Sequence, residues 1–120
     1  MTIIEALQKE LALEALTTRK MLACVPTDKF DWQPHPKSMT VKRLAAHIAE
    51  LPTWVGMTLT TSELDFENNP YQVEDVKSTE ELLDYFERCL EDGKKHMATA
   101  KEEDLGLPWT LRSGATIYST

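Results

Sequence analysis

Residues 78–100 constrain the fold more than any other stretch. They open with Ser78-Thr79-Glu80-Glu81, then place Leu82, Phe86, Cys89, Leu90, Gly93, Met97 and Ala100 at three- and four-residue intervals. Apolar residues at that period share one face of an α-helix. The Ser-x-x-Glu opening is a capping-box pattern, in which Ser78 and Glu81 satisfy each other's free amides. A helix with a single apolar stripe has to lay that stripe against other elements, so the remaining sequence must supply them. His96 falls beside the stripe near the helix end, where a structural role is expected because a protonated imidazole favours the helix dipole there.

Two other segments carry helical periodicity. Residues 3–23 place Ile3, Ile4, Leu7, Leu11, Leu16, Met21 and Leu22 among charges. That helix is predicted to stop near Cys24, because Pro26 biases Val25 away from helical angles. The following "PTDKFDWQPHPK" reads as a loop that Phe30 and Trp32 pin to the bundle. A second helix is predicted from Ser38 or Thr40, either of which can cap its first turn. Val41, Leu44, Ile48, Leu51, Val55 and Leu59 form its stripe, with His47 and Trp54 along one edge. Glu50 lies one turn from His47 and further toward solvent. Pro52 predicts a bend, and Gly56 weakens the same turn. Residues 61–77 read as a long solvated connection without the acid spacing or central glycine of a calcium loop. The tail "LPWTLRSGATIYST" predicts a short hairpin around Ser113-Gly114. The expectation is an all-α chain with three long helices and a hairpin-like C-terminal segment.

Length and charge narrow the classes. A chain of 120 residues fits one domain, 1–120, with a single core. Lys and Arg total 13 against 20 Asp and Glu, a net charge of −7. That balance repels polyanions, and no basic cluster offsets it, so no nucleic-acid partner is expected. No stretch approaches the length of a membrane span, so no membrane partner is expected either. The first residues lack the basic start and apolar run of a signal peptide, which makes the cytoplasm the expected compartment. Cys24 and Cys89 form no CxxC and read as reduced, small apolar side chains.

The chemistry-bearing residues are sparse. The three histidines are His35 in the proline-rich loop, His47 in the second helix and His96 in the third. No HxxxH, HExxH or HxH pair puts two imidazoles on one helical face. Glu50, three residues after His47, could share a metal with it across one turn. Spacing therefore leaves two readings of His47: a buried, hydrogen-bonded histidine, or a metal ligand with Glu50 as a possible companion. No nucleophile elbow, activated cysteine or glycine-rich phosphate loop is present. The tryptophans Trp32, Trp54 and Trp109 read as core and pocket walls.

The segment "VPTDKFDWQPHPKSMTVKRLAAHIAELPTW" resembles the DinB/YfiT-like superfamily of helix-bundle proteins. The resemblance is carried by Val25-Pro26, Trp32 before Pro34, Ser38-Met39-Thr40, Leu44-Ala45-Ala46-His47 and Leu51-Pro52-x-Trp54. The Ser78-to-Leu83 helix start and the "W…SG" tail also suit it. The resemblance implies a DinB-like four-helix bundle holding a divalent metal, nickel or zinc, on three histidines. His47 occupies the position of the first, and an HxxxH pair on a last helix supplies the others. This sequence holds no HxxxH pair. The fourth helix is accordingly expected to be absent and the domain C-terminally incomplete.

Three explanations stand side by side. The chain is a fragment; or it is completed by another subunit as a homodimer or domain-swapped oligomer; or it has kept only a scaffold role. For a complete protein the resemblance implies a metal-dependent enzyme of the thiol-transferase or hydrolase type. A low-molecular-weight thiol would be its cofactor, His47 its first ligand, and Trp32 and Trp54 would line the pocket. The alternative is a metal-free helical self-association module without catalysis.

Overall fold

The computed structural model describes residues 1–70, 72 and 74–120. Helix α1 spans Ile3–Ala23, α2 Val41–Glu50, α3 Thr53–Thr60 and α4 Thr79–Thr99. Strands β1 (Glu63–Asp65), β2 (Thr110–Ser113) and β3 (Thr116–Ser119) form one small sheet, and short 3-10 turns cover Thr27–Lys29 and Glu102–Gly106. The fold is therefore mainly helical, but two expectations need correction. Among the described residues there are four helices instead of three, and the sheet makes the fold not all-α.

The extra helix comes from Pro52. Without an N–H, proline cannot bond back to the carbonyl of Ile48, and the expected bend becomes a break. Leu51 caps α2, and α3 restarts at Thr53, whose hydroxyl donates to the Glu50 carbonyl at 2.7 Å. The displaced Pro52 carbonyl faces α4 at Gly93, where a Cβ would lie 2.6 Å from it. Gly56 has a similar role, because a Cβ there would meet the His96 ring at 2.5 Å. Both glycines mark close approaches of α3 or its entry to α4.

Helix α4 is the hub on which α1, α2 and α3 all pack. Its predicted stripe is observed from Leu82 to Met97: Leu82, Phe86, Cys89, Leu90, Gly93 and Met97 are buried, whereas Ala100 is the half-buried C-cap beyond the helix. At its start, Ser78 Oγ accepts from the Glu81 amide at 3.1 Å, but the Glu81 carboxylate accepts from Lys77 N at 2.8 Å, one residue before the expected partner. A reciprocal capping box does occur at Thr2 and Glu5, ahead of α1.

Helix α2 corrects the expected stripe. It buries Ala45, Ala46, Ala49 and Glu50, whereas Leu44 is 50% exposed and Leu51 45%. Small alanine side chains let α2 lie close on α4, and the larger residues turn toward α1. The apolar set on α1 is likewise split: Ile4, Ala15 and Leu22 are buried, whereas Ile3, Leu16 and Met21 are exposed.

The loop before α2 is tied by backbone more than by rings. The first α2 amides, Val41 N and Lys42 N, donate to the carbonyls of Trp32 and Phe30 at 2.9 Å each. Thr40 Oγ1 takes the next amide, from Arg43, at 3.2 Å. Those bonds satisfy donors that a helix start leaves open. Phe30 is buried as expected, but the Trp32 side chain is 58% exposed and does not pin the loop.

Strand β1 runs parallel to β2, with α4 as the crossover, and β2 pairs antiparallel with β3. The predicted hairpin turns at Gly114, whose φ of 57° suits a glycine at the first turn position. The expected solvated connection at 61–77 is thus partly a strand; Tyr71 and Val73 of that stretch lie outside the described residues.

Candidate functional site

One helical turn brings His47 and Glu50 together. His47 Nδ1 lies 2.8 Å from Glu50 Oε1. In the tautomer with the proton on Nδ1, the ring donates and the carboxylate oxygen accepts. Glu50 is 9% exposed, not turned toward solvent as its position on the predicted stripe suggested. The buried face of α2 is rotated onto the alanines, and that rotation carries Glu50 inward.

His47 lines a cavity of about 420 Å³ together with Met39, Arg43, Trp54, Phe66 and Tyr118. Arg43 and His47 come from successive turns of α2, Trp54 from α3, Phe66 from the turn after β1, and Tyr118 from β3. The Phe66 and Tyr118 rings sit 6.5 Å apart at 56°. Trp54 and Phe66 also wall a neighbouring cavity of about 240 Å³ that includes Glu50. Of the two tryptophans expected at a pocket, Trp54 is at the wall of the His47 cavity and Trp32 is not.

A polar knot, outside the sequence-based expectations, holds the sheet at this cavity. Asp65 is 4% exposed. Its Oδ1 accepts from Gly114 N at 2.8 Å and Glu67 N at 3.0 Å. Its Oδ2 accepts from Asn68 Nδ2 at 2.8 Å and pairs with Arg112 Nη1 at 3.1 Å. Arg112 also binds both Glu63 oxygens, at 2.8 and 2.9 Å. The Gly114 amide, with Glu67 N, Arg112 and Asn68, holds the Asp65 carboxyl below its ordinary range despite burial. The Arg112 hydrogen bond does the same to Glu63. A visible signal was the turn chemistry of Asp65 followed by Asn68-Asn69-Pro70.

The other candidate groups are dispersed. His35 Nδ1 accepts from Lys37 N at 3.0 Å within its own loop. His96 Nδ1 lies 2.9 Å from the Asp92 carbonyl. Cys24 is exposed and Cys89 buried, both as free thiols. Burial pushes the Cys89 thiol up, and burial also raises the neighbouring Tyr85 hydroxyl. A protonated, buried thiol is a poor nucleophile.

Among the described residues, no three His, Cys, Asp or Glu side chains gather closely enough to hold a metal ion. One imidazole with one carboxylate falls short of the three protein ligands of a catalytic zinc. No described helix is long and apolar enough to cross a membrane.

The arrangement defines a helical domain in which three helices pack on a central fourth and a small sheet borders an open, histidine-bearing depression. The chain belongs to the DinB superfamily, whose family profile matches residues 10–118. No match was found among curated proteins or among solved structures.

Proposed function

We propose that the His47 cavity is the functional site and that His47 is one ligand of a divalent nickel or zinc ion. In this reading the chain serves a metal-dependent enzyme of the thiol-transferase or hydrolase type. The observation that carries it is the 2.8 Å bond between His47 Nδ1 and Glu50. Metal-ligating histidines almost always give their other ring nitrogen to a carboxylate or carbonyl, which fixes the tautomer and turns the ring. Glu50 therefore acts as the group that orients His47 more naturally than as a second ligand. At this cavity the described residues supply one oriented imidazole, because His96, whose Nδ1 meets the Asp92 carbonyl, is not among its lining residues, so the remaining ligands must come from elsewhere.

Elemental analysis of the purified protein beside His47→Ala tests the ligand role. Metal in the first and its loss in the second supports the reading. Equal metal content in both would defeat it.

A second reading, a metal-free self-association module working as a homodimer or domain-swapped oligomer, has its own support. Two apolar cavities meet at Ile48 and run between α1 and α2, walled by Met21, Val41, Leu44, Leu51 and Val55 and floored by Phe86 and Leu90. Such an open apolar groove favours association.

A further inference from the structure

We propose that the His47 cavity binds a small organic carboxylate with a planar or apolar body, and that Arg43 takes the carboxylate. The inference rests on reading this cavity as the functional site, and it adds the chemical class of the ligand.

Arg43 stands apart from the other arginines. Arg19 pairs with Glu87, Arg88 with Glu74, and Arg112 with Glu63 and Asp65. The Arg43 guanidinium makes no hydrogen bond or ion pair among the described residues, although the chain carries 20 acidic side chains. Among the described residues no Asp or Glu lines its cavity, while Trp54, Phe66, Tyr118 and Met39 do. The charge at the wall is therefore cationic, and the rest of the surface is aromatic or thioether.

A guanidinium presents a fork of donors that matches a carboxylate. Aromatic faces beside it suit a flat apolar body. The depression is open to solvent, with Arg43 exposed at its edge, and its volume of about 420 Å³ matches that of small-molecule sites. His47 sits one turn from Arg43 on the same wall, so a carboxylate held by Arg43 would place the ligand body against the imidazole.

Benzoate and benzamide separate the two contributions, because they share a shape and differ in charge. Their affinities are to be measured by titration with ligand-observed NMR. Benzoate is expected to bind about tenfold to a hundredfold more tightly, the range of a hydrogen bond to a charged group. Arg43→Gln should remove that advantage and leave benzamide unchanged, while Tyr118→Ala should weaken both.

Equal binding of the two ligands, no binding of either, or a benzoate advantage that survives Arg43→Gln overturns the proposal. Binding of both that is indifferent to Tyr118→Ala does so too, since it places the ligands elsewhere. Loss of the metal reading would appear separately, as metal content unaffected by His47→Ala. An Arg43-dependent carboxylate site can stand or fall independently of that result.

Discussion

At the scale of single residues, two buried carboxylates organise the site. Glu50 fixes the His47 ring, and Asp65 gathers the turn after β1 and the hairpin into one unit. Because the Asp65 pKa is lower in the folded chain than in the unfolded one, its contribution is fully present above its ordinary value of 3.8. It is lost as the pH falls from there through the depressed folded value. Amide resonances of Thr110–Ser119 are therefore expected to lose their native positions in acid before those of α4. Asp65→Asn should remove the Asp65 share of this pH dependence, leaving that of Glu63, and loosen the hairpin at neutral pH as well. Gly56 offers a simpler test. An added Cβ would press on the His96 ring at 2.5 Å, so Gly56→Ala should cost about 1–3 kcal/mol in chemical denaturation, the usual range for overpacking.

At the scale of elements, α4 carries the largest share of the core. Phe86→Ala should destabilise the chain by about 3–5 kcal/mol, and Ser78→Ala by about 1 kcal/mol through loss of the cap. Thermal and denaturant unfolding check both. The legible parts of the fold are those with a local signal. The α4 stripe is buried on its hub side, α1 stops at Ala23 where Pro26 predicts, α4 starts after its Ser78 cap, and the hairpin turns where Ser113-Gly114 predicts.

The α2 face was not legible, because Ala45, Ala46 and Ala49 give a weaker pattern than Leu44, Ile48 and Leu51. Close packing on α4 nevertheless favours the small residues. Strand β1 is three residues in a polar stretch and exists through pairing with β2, residues distant in sequence. At the site, the His47–Glu50 spacing was visible. The contributions of Arg43, Phe66 and Tyr118 depend on the sheet meeting α2, which no local pattern encodes.

At the scale of the whole molecule, the chain is flat, with extents of 46 × 37 × 19 Å. Its radius of gyration is 15.9 Å, above the value of about 14 Å for a compact domain of this length. The thin dimension matches two helix diameters at about 10 Å each, and the groove between α1 and α2 stays open along it. The self-association reading predicts a concentration-dependent mass in light scattering that rises to two chains at micromolar concentration. Leu44→Glu, placed on an exposed position of the groove, should return it to one chain. A stable monomer throughout would contradict that reading.

The functional reading stands on His47 as a metal ligand. Titration with Zn²⁺, followed through the imidazole NMR signals, is the decisive measurement. The His47 ring is expected to respond first while His35 and His96 stay in place, and Glu50→Gln to weaken the response about tenfold to a hundredfold. A response at His35 or His96 with His47 silent would contradict it, as would a His47 response indifferent to Glu50.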